Sequence, residues 1–155
     1  MPKSVLVLNH FAVPRGHAGG TRHVELFDEL PDDWTYRLIG ADRNLLSGTR
    51  AHHSSGNYTA VRTTPYRGNG PSRIANWASY AAAAFIVGVT RRRVDVVYAS
   101  SPHLLTGLAG YLIARIRRAP FVLEIRDLWP RILADMGRMR TTSIAYRLLR
   151  RLELF

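Results

Sequence analysis

Residues 95–130 read DVVYASSPHLLTGLAGYLIARIRRAPFVLEIRDLWP, and the order of apolar and breaker residues here decides the fold. Residues 94–99 (VDVVYA) are β-branched and apolar enough for a buried strand. Ser100, Ser101 and Pro102 end it. Residues 103–118 predict a helix, and Gly107, Ala109 and Gly110 would let it approach a sheet closely. Residues 120–125 form a second apolar run, which ends on Arg126 and Asp127. A strand, a helix and a strand in this succession form a crossover unit with parallel strands. A plain turn after the second strand would use Gly, Asn or Ser, so adjacent Arg126 and Asp127 ask for a reason.

Upstream, the same alternation continues. Residues 4–8 (SVLVL) predict a strand covered on both faces, followed by the loop NHFAVPRGHAGG and a helix over residues 21–30 with Thr21 as its N-cap. Residues 35–40 (TYRLIG) and 58–66 (YTAVRTTPY) predict two more strands, separated by a polar loop over residues 42–56. Ser72 can cap a long helix over residues 73–91, apolar on most sides and therefore expected to be buried. The fold expected is α/β, a Rossmann-like, doubly wound, mostly parallel sheet, in one domain over residues 1–155.

Composition narrows the classes. At 155 residues and 46% apolar, the chain can bury a sizeable core. It has no cysteine, which excludes disulfides and thiolate metal sites and fits a reducing compartment. The apolar run at residues 5–8 is too short for a secretory signal, and residues 77–89 fall short of the ~20 needed to span a bilayer. A soluble or surface-bound protein is expected. The net charge is +11 and uneven: nine basic residues against six acidic in residues 1–90, thirteen against five in residues 91–155. That skew implies an anionic partner near the second half, such as lipid headgroups or phosphates. Nucleic acid is disfavoured, because no aromatic residues alternate with the basic ones for base stacking.

In a sheet of this kind ligands bind outside the carboxyl ends of the strands. Three polar clusters fall there: Asn9-His10 with residues 16–22 (GHAGGTR); Ser100, Ser101, Pro102 and His103; and Arg126-Asp127. Gly19 and Gly20 before a helix suit either an ordinary turn or a seat for phosphate on exposed N–H groups. The segment matches neither a dinucleotide fingerprint nor a Walker loop. Arg126-Asp127 suits either a structural ion pair with a neighbouring loop or a site. His103 suits either a surface position at a helix start or a site, and His52-His53 lack the spaced partners of a metal centre.

Taken together, the Gly19-Gly20-x-Arg22 loop, the long helix after a Pro/Gly loop and the segment over residues 95–130, above all E-x-R-D-L-W-P, resemble the N-terminal domain of family 4 glycosyltransferases. The branch it is similar to transfers aminosugars in bacterial surface-polysaccharide synthesis. The resemblance implies a GT-B architecture in which this domain holds the acceptor and a C-terminal domain, with its glutamate motif, binds a nucleotide sugar. It also implies retention of anomeric configuration, no metal and no cofactor beyond the nucleotide-sugar donor. Carried over, Gly19 and Gly20 approach the donor diphosphate or the transferring sugar, and Arg22 and Asp127 line the acceptor side. Many relatives carry a histidine before that aspartate. Arg126 stands there in this chain, as in the branch it resembles, and is read as a charge-stabilising donor rather than a base. His10, Ser101 and His103 complete the expected substrate-binding set, with Asp127 and Arg126 as the catalytic pair. The donor domain is expected to be missing through truncation or a split gene, leaving a half that does not turn over alone.

Residues 144–155 place Ile144, Ala145, Leu148, Leu149, Leu152 and Phe155 on an arc of roughly 140°, opposite Arg147, Arg150 and Arg151. This suits either core packing or attachment to anionic lipid. The expected location is cytoplasmic, with attachment to the inner face of the cell membrane as an option. Expected partners are a nucleotide sugar, a lipid-linked or saccharide acceptor and the missing domain. The competing class is a non-catalytic module that binds a lipid-linked sugar or a partner transferase.

Overall fold

Five of the apolar runs become strands because each is too short and too β-branched for a stable helix and is flanked by breakers. In order they are β1 (Lys3–Leu8), β2 (Trp34–Ala41), β3 (Tyr58–Val61), β4 (Val96–Ser101) and β5 (Phe121–Ile125). Between and after them lie α1 (Arg22–Asp28), α2 (Pro71–Thr90), α3 (Leu104–Arg117), α4 (Arg131–Asp135) and α5 (Ile144–Glu153). The computed structural model describes residues 1–17, 19–45, 48–68, 70–128, 130–135, 137 and 139–154, the side chains of residues 145 and 152 excepted. Trp129 of the E-x-R-D-L-W-P segment and Phe155 of the apolar arc lie outside the described residues, as do the side chains of Ala145 and Leu152.

The strands form one all-parallel sheet in the order β3-β2-β1-β4-β5. The chain moves outward from β1 to β2 and β3, then crosses back to lay down β4 and β5 on the other side. The winding therefore reverses between β1 and β4, which leaves a crevice outside their carboxyl ends. Side chains alternate across the sheet with period two. Val5 and Val7 pack with Val24 and Phe27 of α1, while Leu6 and Leu8 pack with Tyr80 and Ala84 of α2 and Ala109 and Ile113 of α3. Helices thus cover both faces, and the fold is the doubly wound, Rossmann-like α/β sheet expected. Gly110 permits the close seat of α3: a Cβ there would stand 2.7 Å from Ala99 Cβ.

Three local expectations are corrected. β3 stops at Val61 instead of running to residue 66. Beyond it, Thr63 N–H donates to Asp42 Oδ1 at 3.0 Å and Thr64 N–H to Ser79 Oγ at 3.0 Å, so side chains take the donors a ladder would need. Gly70, not Ser72, is the N-cap of α2; Pro71 starts the helix, and Ser72 Oγ instead accepts from Arg67 N–H. Finally, α2 buries only a stripe, Asn76, Tyr80, Ala84 and Gly88, and leaves Ile74 and Ile86 exposed. One layer of sheet and one neighbouring helix cannot cover all of its apolar circumference.

Ser143 caps α5, its Oγ accepting from Tyr146 N–H at 3.1 Å. Ile144 and Leu148 on this helix are exposed, as are Arg147, Arg150 and Arg151. Among the described residues, no helix is long and apolar enough to cross a membrane.

Candidate functional site

The end of β1 sends consecutive side chains to opposite faces of the sheet, and each starts its own polar network. Asn9 turns toward α1 and His10 toward α2 and α3; both are fully buried.

On the α1 side, Asn9 Nδ2 donates to His23 Nδ1 at 2.9 Å, and Asn9 Oδ1 accepts from Phe11 N–H at 3.1 Å. His23 Nε2 lies 2.8 Å from Glu124 Oε2. With Nδ1 accepting from Asn9, Nε2 carries the proton and donates to the carboxylate. Arg22 donates to the other Glu124 oxygen. Burial would raise the Glu124 carboxyl, but hydrogen bonds from Arg22 and His23, with Ser100 beside them, overcome that and hold it at about 2. Burial is also the largest influence on His23 and lowers it despite the carboxylate partner. The unit is thus neutral His23, ionised Glu124 and cationic Arg22. It joins the ends of β1 and β5 to the start of α1.

On the α2 side, His10 Nδ1 and His103 Nε2 lie 2.7 Å apart, bridging the point where the winding reverses. His10 stacks on Tyr80 at a centroid distance of 4.3 Å and on Phe11 at 4.5 Å. His103 stacks on Trp77 at 4.9 Å. Tyr80 is fixed by its hydroxyl, which donates to the Ile39 carbonyl at 2.7 Å. Burial pushes His103 down to about 3 and His10 well below the ordinary imidazole range, with the charge of Arg73 lowering both further. Both rings are neutral, so one of the two facing nitrogens carries the proton that joins them.

The predicted residues are distributed as follows. His103, a surface residue on one reading, is buried and is the N-cap position of α3. Ser101 is buried as the last residue of β4, in register with Ile125. Gly19 has φ +140°, a conformation that suits the turn reading of the glycine pair. Gly20 bridges to Ala12 and places its carbonyl on Val13 N–H at 3.2 Å, so the loop is stitched back to the end of β1. Arg126 is exposed and Asp127 half-buried, and neither side chain makes a hydrogen bond or ion pair among the described residues. The strand-end ion pair exists, but Glu124 makes it. Arg126 lies close enough to disfavour charge on His23. The structure thus joins Arg22 to the α1-side network with Arg126 near it, and it joins His10 to His103 across the crevice. It shows no direct contact linking Asp127 to either group.

His23, Arg73, Asn76, Trp77 and Tyr80 are not singled out from sequence, and Glu124 enters only as the first residue of E-x-R-D-L-W-P, with no role assigned. A lone carboxylate inside FVLEI was a signal, since a charge in an apolar strand needs a partner. So was the i, i+3, i+4, i+7 spacing of Arg73, Asn76, Trp77 and Tyr80, which puts four large polar or aromatic groups on one helix face. No cluster of three metal-ligating side chains occurs among the described residues. A cavity of about 220 Å³ between α1, β2 and the loop before β3, lined by Asp28, Tyr36 and Tyr58 among others, holds none of the predicted residues. Compared with known protein families, curated proteins and solved structures, the chain matches none.

Proposed function

We propose that this domain is the acceptor-side half of a retaining, GT-B-type glycosyltransferase. It would move a sugar from a nucleotide-sugar donor to a lipid-linked or saccharide acceptor in cell-envelope glycan synthesis. The observation that carries the reading is the crevice between β1 and β4. Polar groups from β1, β4, β5 and the start of α1 gather at the carboxyl ends of a doubly wound sheet, where such sheets bind ligands. The resemblance of the E-x-R-D-L-W-P and Gly-Gly-x-Arg segments to family 4 enzymes supplies the reaction class.

In this mechanism the bond from the anomeric carbon to the donor diphosphate breaks, and one to the acceptor hydroxyl oxygen forms. The hydroxyl proton leaves with the diphosphate. Asp127, without a partner among the described residues, orients the acceptor hydroxyl. Arg126, likewise without one there, donates N–H groups to the oxygens on which negative charge grows. Gly19 and Gly20 let the backbone approach the diphosphate without side-chain obstruction, and Arg22 is aimed by Glu124. Turnover needs a donor-binding domain in cis or in trans. The exposed Ile144 and Leu148 of α5, beside Arg147, Arg150 and Arg151, support peripheral attachment to an anionic membrane surface, where a lipid-linked acceptor resides.

The test is Asp127→Asn in a two-domain form that includes a donor-binding domain. Transfer falls by roughly tenfold or more with little change in melting temperature. Transfer at the parental level contradicts the assignment. Acceptor binding with no transfer by any two-domain form would favour the non-catalytic module.

A further inference from the structure

Arg73 has no counter-ion among the described residues. It is half-buried in the first turn of α2, and its guanidinium makes no hydrogen bond or ion pair among the described residues. Its neighbours are rings: Cζ lies 5.0 Å from the centroid of Tyr66 and 5.7 Å from that of Phe11. Aromatic contacts hold a guanidinium through its faces and leave the N–H groups at its edge free to donate in plane.

Everything around it favours negative charge from outside. Arg73 disfavours protonation of both His10 and His103, which locates its field at the crevice. Among the described residues no acidic side chain is paired with this group, and none falls in the first turn of α2. On the same face, Asn76 Nδ2 is tied to the Thr64 carbonyl at 2.6 Å, so the loop after β3 is held against the helix. Two fully buried polar atoms of the cluster, Asn76 Oδ1 and His103 Nδ1, lack partners among the described residues. A structural arginine elsewhere in this fold looks different: Arg117 donates to the carbonyls of Arg91 and Arg92, and Arg22 to Glu124. Arg73 is positioned by rings beside the crevice, its donors unspent among the described residues.

We infer that Arg73, bracketed by Phe11 and Tyr66 beside the His10–His103 pair, is the seat for an oxyanion of the acceptor, a phosphate or carboxylate that it grips through its in-plane N–H groups. Identifying the carrier as the acceptor rests on the transferase reading; the oxyanion seat itself does not. The site lies on the α2 side of the crevice, so it leaves Gly19 and Gly20 on the α1 side for the donor diphosphate.

The test is isothermal titration of the full chain with inorganic phosphate, and separately with malonate as the carboxylate probe, at low ionic strength. Binding of at least one probe with Kd below about 10 mM is expected. Arg73→Gln should weaken it by roughly tenfold or more, Arg73→Lys should recover part of it, and Arg93→Gln, an exposed arginine paired with Asp95 just before β4, should leave it unchanged. The stronger probe identifies the oxyanion class. No binding of either probe overturns the seat, as does binding that survives Arg73→Gln or is lost in Arg93→Gln. Should Arg73→Gln unfold, Arg side-chain Nε–Hε resonances of the unaltered chain serve instead: the probe should shift one strongly, assigned to Arg73 by its absence in Arg73→Lys. Oxyanion binding at Arg73 without transfer in a two-domain form would sink the transferase reading alone; transfer without that binding would sink the seat alone.

Discussion

The two sides of the crevice start from adjacent residues of one strand and handle charge in opposite ways. On the α1 side Asn9, His23, Glu124 and Arg22 form a closed set in which every charge has a partner. On the α2 side His10 and His103 are kept neutral by burial, and the nearest cation, Arg73, is left without a carboxylate. The difference teaches what each side is for. A closed ion pair locks strand ends together and contributes stability. An open cation beside neutral rings contributes little stability and remains available to a ligand.

Acid should separate the sides by the largest margin. Below pH 6.5 the unfolded chain takes up protons on His10 and His103 that the folded chain refuses. On the α1 side His23, also lowered by burial but opposed by Glu124, adds in the same direction. Stability therefore falls as pH drops through 6.5 and keeps falling toward about 3 for His103, by about 1.4 kcal/mol per pH unit for each such histidine. Glu124 has a depressed value, so its contribution is present above the ordinary carboxyl range and is lost only as pH falls from there toward about 2. Urea unfolding from pH 7 to 5 should show a slope that His103→Asn reduces and Glu124→Gln leaves in place. An unchanged slope in His103→Asn would break the distinction.

Next in size is Glu124→Gln, which removes the ionised acceptor of two hydrogen bonds. It should cost about 2 kcal/mol in urea unfolding at pH 7, within the range for hydrogen bonds to charged groups. A smaller step is Tyr80→Phe, which leaves the Ile39 carbonyl without its 2.7 Å donor and should cost about 1 kcal/mol. The smallest is Arg73→Gln, expected to change stability by no more than about 0.5 kcal/mol, since no carboxylate depends on it. A loss comparable to that of Glu124→Gln would mean that Arg73 is a structural latch.

The layout of the sheet was legible because strand and helix periods differ and because Gly, Pro and Ser punctuate the chain. Asp95 to Pro130 alone shows a complete crossover. The end of β3 was not legible, because the donors of Thr63 and Thr64 are claimed by Asp42 and Ser79, residues far apart in the chain. The rim position of His10, Ser101 and Arg126 followed from the strand ends. Its division did not: which of Asn9 and His10 faces which helix depends on the pleat, and the partner of Glu124 lies 102 residues away. Reading residues 120–125 as one apolar run passed over Glu124, the carboxylate that closes the α1-side network.

The most direct test of this division is a pH titration of the imidazole nitrogens by 15N–1H correlation spectra. Below the pH at which an ordinary histidine takes its proton, His10 and His103 should still show the neutral pattern, down to about pH 5 while the chain remains folded. Ordinary titration of His10 and His103 with midpoints near 6.5 in the folded chain would contradict the neutral pair and the open, ligand-ready side built on it.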